Sequence, residues 1–177
     1  MKRRPFYKWG IFWYAIALLC AIGWWTFHHS RTSPATENEL LFPDNHPVYY
    51  ESISLERTAC YGTCPVYTVT LHRDGRAEYK PRAHLPQRGD FEGMVSEFEF
   101  ERLSYFLEMR GFEQMKARYE VGYTDASTCI VKAVSASGTK VVSDYGGAGP
   151  VDLWAIQGLI DGIRERIDWK PVSKDSP

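Results

Sequence analysis

The chain has 177 residues, of which 44% are hydrophobic and 24% are charged, and these globular proportions exclude a protein that is disordered throughout. Its net charge of −1 hides an asymmetry, because residues 1–31 carry five basic and no acidic side chains, so the remaining 16 basic residues face 22 acidic ones, a net charge of −6. This acidic body argues against a nucleic-acid-binding protein, which needs clustered lysine and arginine.

The N-terminal region has the pattern of a membrane anchor. Residues 1–8 contain four cationic side chains, and residues 9–27 form an uncharged run of 19 residues with aromatic side chains towards both ends. At about 1.5 Å per residue, a helix of that length approaches the roughly 30 Å hydrocarbon core of a bilayer. The cationic cluster would remain cytoplasmic, which places the rest of the chain outside the cytoplasm. The alternative is a cleaved signal peptide whose cleavage site ends at Gly23.

The segment after the anchor has the composition of a linker. It is rich in proline, serine, threonine and asparagine and shows no apolar periodicity. The predicted organisation is a cytoplasmic stub over 1–8, a transmembrane anchor over 9–27, a linker over 28–48, an extracytoplasmic domain over 49–171 and a disordered tail over 172–177.

Apolar and polar residues alternate with a period of two in much of the predicted domain. Ile53 and Leu55 share one face of a strand, and Val69 and Leu71 do the same after the first cysteines. The turn residues Asp74-Gly75 indicate a hairpin. These patterns predict strands over 49–58, 66–72, 76–80, 127–134 and 139–145, with a loop over 81–90 and a short strand over 91–95.

Two segments have the pattern of amphipathic helices. Ser96 followed by Glu99 is a capping box, and the apolar stripe that it opens ends at Gly111. The second helix opens at Pro150, and its apolar residues then repeat at spacings of three and four. The order of elements predicts an α+β domain, with a mostly antiparallel sheet and two helices packed on one face, preceded by one N-terminal transmembrane helix.

Cys60 and Cys64 are the residues nearest to recognisable chemistry. Three residues including Gly62 separate them, so the loop can close, and thiols outside the cytoplasm tend to oxidise. We therefore predict a local disulfide. The alternative is a copper or zinc site made from both thiolates with one histidine, which would be His72, His84 or His46. Cys129 alternates with apolar residues and is predicted to be a buried free thiol.

A second candidate site lies where two loops should meet. Because a hairpin returns the chain to its starting end, residues 123–125 should lie beside residues 144–149. The candidate binding residues are Tyr61, Thr124, Asp125, Asp144, Tyr145, Gly146 and Gly147. The glycines lack the spacing of a phosphate loop and favour a tight turn from strand to helix. An enzyme that uses Asp125 and Asp144 is a weaker alternative.

The motifs also resemble a known family. The run Leu55-Glu56-Arg57-Thr58-Ala59-Cys60-Tyr61-Gly62-Thr63-Cys64-Pro65-Val66-Tyr67, the Asp74-Gly75 turn, the pair Thr124-Asp125 and the run Val142-Ser143-Asp144-Tyr145 occur in this order. In this combination they resemble a bacterial domain of unknown function, number sixty-four thirty-eight, over about residues 50–169. The resemblance implies a bacterial extracytoplasmic domain, and it supplies no activity and no site residues.

These observations together predict an uncharacterised binding or interaction module in the bacterial envelope. We expect a single-pass protein of the inner membrane, with its C-terminal domain outside the cytoplasm. Its expected partner is an envelope protein or a small ligand, with no nucleic acid and no cofactor. Handling of copper or zinc through Cys60 and Cys64 is the alternative function.

Overall fold

The computed structural model of the chain describes residues 50–172. The α-helices are α1 (Glu97–Met109) and α2 (Val151–Arg166), and a short 3₁₀ turn spans Phe112–Gln114. The strands are β1 (Ser52–Arg57), β2 (Val66–His72), β3 (Arg76–Ala83), β4 (Phe91–Met94), β5 (Arg118–Glu120), β6 (Thr128–Ser135), β7 (Gly138–Tyr145) and β8 (Lys170–Pro171).

The eight strands of residues 50–172 form one open sheet, in the order β5-β7-β6-β1-β2-β3-β4-β8. Every neighbouring pair is antiparallel except β5 and β7, which are parallel. The prediction of an α+β class with a mostly antiparallel sheet and two helices is therefore confirmed for the described residues.

The alternating sequence pattern gives the sheet one buried face. In the three central strands, Leu55 lies opposite Val69 on one side and Val131 on the other, and none of these side chains is accessible to solvent. Burial of one such side chain contributes about 1.5–3 kcal/mol. A register shift of one residue would turn the whole apolar set towards solvent, so this burial fixes the register.

The two helices cover this buried face. The Ser96 hydroxyl accepts a hydrogen bond from the Glu99 amide at the start of α1, and Gly111 follows its end in a left-handed conformation with φ of 63°. In this way the capping box and the terminating glycine set the limits of the helix. Phe100 and Leu103 of α1 and Ile156 of α2 belong to the same core as the strands.

Helix α2 crosses the strands instead of following one of them. Gln157 bonds to Asp144 on β7, and four residues later Asp161 bonds to Arg57 on β1. The guanidinium of Arg164 then lies over a ring of β3, at 5.5 Å from the centroid of Tyr79. Along α2 the contacts therefore move from β7 to β1 and then to β3, which brings helix side chains to the ends of β1 and β2.

The structure differs from the predicted strands at three places. β3 continues through Pro81 to Ala83, although a loop was expected from residue 81. The pairing of β3 with β4 covers only Arg76–Tyr79, so a proline without an N–H group is tolerated beyond it. β5 and β8 were not predicted, because segments of three and two residues carry no periodicity of their own.

Among residues 50–172, no helix has both the length and the apolar character needed to cross a membrane. The predicted anchor over residues 9–27 lies outside the described residues, together with the stub, the linker over 28–48 and most of the tail.

Candidate functional site at the loop end of the sheet

Four connections between elements meet at one end of the sheet, which we call the loop end. β1 ends there, and β2, which is antiparallel to it, begins there after the cysteines. β6 begins and β7 ends beside them. The loop end therefore gathers the connections over 58–65, 84–90, 121–127 and 146–150. The opposite end carries the tight turns at Asp74-Gly75 and Ala136-Ser137.

The connection over 58–65, which we call the cysteine loop, is covalently closed. Cys60 and Cys64 form a disulfide with their Cα atoms 5.7 Å apart. Inside the loop, the amide of Gly62 donates to the carbonyl of Cys60 at 2.9 Å. The amide of Tyr61 donates to the carbonyl of Asp125 at 3.1 Å, so the cysteine loop is tied to the connection over 121–127. The Tyr61 side chain is 90% exposed at the tip.

The connection over 121–127 is in turn bonded to the end of β7. The Tyr123 hydroxyl donates to the carbonyl of Gly146 at 3.3 Å, and the Ala126 amide donates to the hydroxyl of Tyr145 at 3.1 Å. Six of the seven candidate binding residues therefore lie in connected segments at the loop end: Tyr61, Thr124, Asp125, Tyr145, Gly146 and Gly147.

Asp144, the seventh candidate, faces the core instead. It is 2% exposed, and one carboxylate oxygen accepts the Gly149 amide at 2.8 Å while the other accepts the Gln157 side-chain amide at 3.1 Å. Asp125 is exposed to solvent, and its carboxylate accepts the Thr124 hydroxyl at 3.2 Å. The two aspartates therefore lie in different surroundings. Asp144 orders the turn into α2.

The glycines after β7 form a turn. Gly146 and Gly147 both have positive φ angles, 67° and 72°, which side chains with a Cβ atom rarely adopt. The amide of Gly146 bonds to the carbonyl of Ser127, and that of Gly149 bonds to Asp144. Because these two amides have internal acceptors, the geometry favours the tight turn from strand to helix over an anion-binding loop.

Among residues 50–172, the residues of the metal alternative do not form a metal site, and His46 lies outside this range. The two loop sulfurs are joined to each other, and His72 lies at the far end of β2, about 20 Å away at roughly 3.3 Å per residue. There its Nε2 pairs with Glu78 at 3.3 Å. Within residues 50–172, no three histidine, cysteine or acidic side chains are grouped in a way that would hold a metal ion.

Cys129 is a free thiol beneath the loop end. It lies opposite Arg57 on β1 and is 7% exposed, as predicted for a buried residue of β6. Burial raises the pKa of the Cys129 thiol to about 12, although the positive charge of Arg57 opposes this shift. The thiol is therefore protonated and unreactive at neutral pH.

A polar cluster that the sequence analysis missed lies next to Cys129. We call it the arginine cluster, and its members are Arg57, Tyr67, Asp161 and Arg164. Arg57 donates to the Asp161 carboxylate through Nη2 at 2.5 Å and through Nε at 3.0 Å. Its Nε also lies 3.1 Å from the Tyr67 hydroxyl, which itself donates to Asp161. The Arg164 guanidinium lies 4.8 Å from the centre of the Tyr67 ring.

The arginine cluster changes the acidity of its members. Burial and the hydrogen bond to Asp161 raise the pKa of Tyr67 well above its ordinary value. Burial alone would lower the pKa of Arg57, but the hydrogen bond and charge of Asp161 reverse that effect and raise it. Both residues therefore keep their protons at neutral pH, and the cluster contains two positive charges and one negative charge.

One signal could have revealed this cluster from the sequence. Arg57 continues the period of Ile53 and Leu55, so it occupies an inward position of β1. An inward arginine requires a partner, because an unpaired buried charge is costly. The identity of the partner, 104 residues away in α2, has no local signature.

The arginine cluster lines a cavity of about 310 Å³ at the loop end. Its walls include the disulfide loop, through Cys64 and Pro65, and Leu85 from the connection over 84–90. This volume is at the lower end of the range for small-molecule sites. A larger groove of about 640 Å³ lies along β3, β4 and β8, where charges pair with each other, as Lys80 and Glu78 do at 2.9 Å.

The fold and these loops define a small α+β domain with an open, mostly antiparallel sheet, a disulfide-closed loop and a polar cavity beside it. Residues 51–164 match the model of the family described as domain of unknown function (DUF6438), and the chain belongs to that family. A comparison with curated proteins found no match.

Proposed function

We propose that this chain is a membrane-anchored, extracytoplasmic binding module that recognises its partner with the cysteine loop. The observation that carries the proposal is the exposure of Tyr61, which is 90% accessible on a loop closed by a disulfide and hydrogen-bonded to Asp125. Tyr123, on the neighbouring connection, is 60% exposed.

Rigid, exposed tyrosines suit a binding surface. A tyrosine offers a large apolar ring and a polar hydroxyl, and it loses little conformational entropy when it becomes buried. The disulfide restricts the loop before binding, which lowers the entropic cost of association. Tyr61 and Tyr123 therefore provide two aromatic anchors, with the polar side chains of Thr124 and Asp125 beside them.

The proposed location rests on two further observations. Disulfides persist in oxidising compartments outside the cytoplasm, which supports an extracytoplasmic position for the cysteine loop. The uncharged run over residues 9–27 follows a cationic segment, which supports retention in the inner membrane of a bacterium. The proposed partner is an envelope protein or a small ligand that reaches the loop end.

Site-specific photocrosslinking in intact membranes tests the binding surface. A photoreactive phenylalanine derivative is placed at position 61 or 123 and, as the control, at the exposed position 137 in the opposite turn. A protein partner at the loop end gives a discrete adduct at 61 and 123 and none at 137. Equal labelling at all three positions would contradict a specific surface. If addition of an envelope extract lowers crosslinking at positions 61 and 123 but not at 137, the result identifies a small ligand at the loop end.

Membrane extraction tests the anchor separately. The full chain should remain in the membrane fraction after alkaline or high-salt washing, because the predicted helix spans the bilayer. If the intact mass is that of a chain that begins at Trp24, a signal peptide has been cleaved. That result would contradict the anchor but not the proposed binding surface.

A further inference from the structure

The cavity beside the cysteine loop encloses an excess of positive charge. Arg57 and Arg164 line it and have side chains that are 30% and 16% exposed, whereas Asp161 is 20% exposed and lies between them. Asp161, Arg57 and Arg164 are the largely enclosed charged groups, and together they carry a net charge of about +1. Glu165, the second acid in the cavity wall, is 68% exposed at the rim and pairs with Arg164 at 2.9 Å, so it offsets part of this charge.

Both arginines keep hydrogen-bond donors that no described residue uses. Each guanidinium has five N–H donors. Arg57 engages Asp161 and Tyr67 through Nε and Nη2, and within residues 50–172 its Nη1 makes no hydrogen bond. Arg164 donates to Glu165 through Nη2, while its buried Nε makes no hydrogen bond within the described part of the chain and faces the Asp161 carboxylate at 3.8 Å. Unused charged donors next to a cavity match an anionic ligand.

The two guanidinium groups are also held in place before any ligand binds. Arg164 lies over two aromatic rings, at 4.8 Å from the centre of Tyr67 and 5.5 Å from that of Tyr79. Arg57 is fixed by its two contacts with Asp161. Donors that are already ordered do not lose rotational freedom on binding, which favours a binding site over a loose surface pair.

We propose that this cavity binds a small monocarboxylate with a short apolar tail. One carboxylate neutralises the enclosed charge, and its two oxygens match the planar donor fork of arginine. Pro65, Leu85 and the disulfide sulfur of Cys64 line the same cavity and offer apolar contacts to the tail. The site is distinct from the exposed tyrosines, so it does not depend on the proposed partner surface.

Ligand-dependent stabilisation of the full-length protein provides the test. Butyrate and butanamide have the same heavy-atom skeleton, but only butyrate is charged. Butyrate at roughly 1 to 100 mM should raise the unfolding temperature in a saturable manner, whereas butanamide and sodium chloride at equal concentration should not. Equal shifts with butyrate and butanamide would overturn the proposal, because the binding would not involve the carboxylate.

Three single substitutions locate the site. Arg164→Lys keeps the charge and removes the donor fork, so it should weaken butyrate binding about tenfold. Arg166→Lys is the matched control, because Arg166 lies on the same helix, pairs with Glu99 and does not line the cavity. Glu165→Gln removes an acid from the rim and should strengthen butyrate binding by about two- to threefold.

The outcomes separate a specific site from general anion binding. Equal weakening by Arg164→Lys and Arg166→Lys would overturn the proposal. If Arg164→Lys does not fold, Glu165→Gln decides, because that position is exposed and its replacement changes one partner of Arg164 while keeping the contacts among the four residues of the arginine cluster. An unchanged butyrate affinity in Glu165→Gln would then place the anion elsewhere.

Discussion

Replacing both Cys60 and Cys64 by serine should lower the free energy of unfolding by about 2 kcal/mol and leave the fold unchanged. The disulfide joins residues four positions apart and therefore closes a loop of five residues. For a loop of that length, the chain-entropy relation gives about 2 kcal/mol at 25 °C. With about 4 °C per kcal/mol for a domain of this size, the unfolding temperature should fall by roughly 8 °C.

The native loop should survive without the covalent bond. The hydrogen bonds from Gly62 to Cys60 and from Tyr61 to Asp125 use only backbone atoms, which serine preserves. Cys60 and Cys64 are both half-buried, so the serine hydroxyls reach water and cause no large desolvation cost. The loss therefore arises mainly from the greater freedom of the unfolded chain.

Urea unfolding followed by circular dichroism measures this loss. The oxidised wild-type protein should lose the same free energy when reductant is added, and a thiol count under denaturing conditions should then rise by two. The double serine variant should not respond to reductant. A wild-type protein whose unfolding midpoint stays constant, although the thiol count has risen by two, would refute the reasoning.

Three further predictions concern residues next to the site, each measured by urea unfolding. Gly146→Ala should destabilise the protein by roughly 1–3 kcal/mol more than Gly147→Ala, because both positions have positive φ but only at Gly146 would a Cβ lie 2.4 Å from Val121; equal losses would contradict this. Asp144→Ala should cost about 2–3 kcal/mol, because it leaves two buried donors unpaired; a neutral effect would contradict the buried role of Asp144. The pKa of Cys129 is raised to about 12, above the value of about 8.5 for a thiol in the unfolded chain. The contribution of this thiol to the free energy of unfolding is therefore intact below about pH 8.5 and falls by up to about 1.4 kcal/mol per pH unit above it. Cys129→Ala should therefore lose less stability than the wild type between about pH 8.5 and 11, and identical losses would contradict the shift.

The elements with a strong local pattern were predictable from the sequence. The alternation in β1 and β2 and the capping box of α1 depend on neighbours within a few residues, and the structure has these elements close to the expected limits. β5 was not predictable, because its three residues form a strand only through parallel pairing with β7. The same holds for β8, which depends on β4.

The candidate site was predictable only in part for the same reason. The meeting of residues 123–125 with the end of β7 followed from hairpin geometry, and the closure of the cysteine loop followed from spacing and compartment. The arginine cluster depends on where α2 crosses the sheet, which joins Arg57 to Asp161 over 104 residues. No periodicity in either segment encodes that crossing.

The position of the candidate sites follows from the topology of the sheet. The β2–β3 and β6–β7 hairpins close with tight turns at one end, so these two connections leave few residues from which to build a site. At the loop end, the cysteine loop and the connections over 84–90 and 121–127 are long enough to form a site. Since α2 starts at the end of β7 and crosses towards β3, it also brings Asp161 and Arg164 to this end. The exposed tyrosines and the arginine cavity therefore share one end of the domain for a structural reason, and a partner that covers Tyr61 would stand directly beside the cavity.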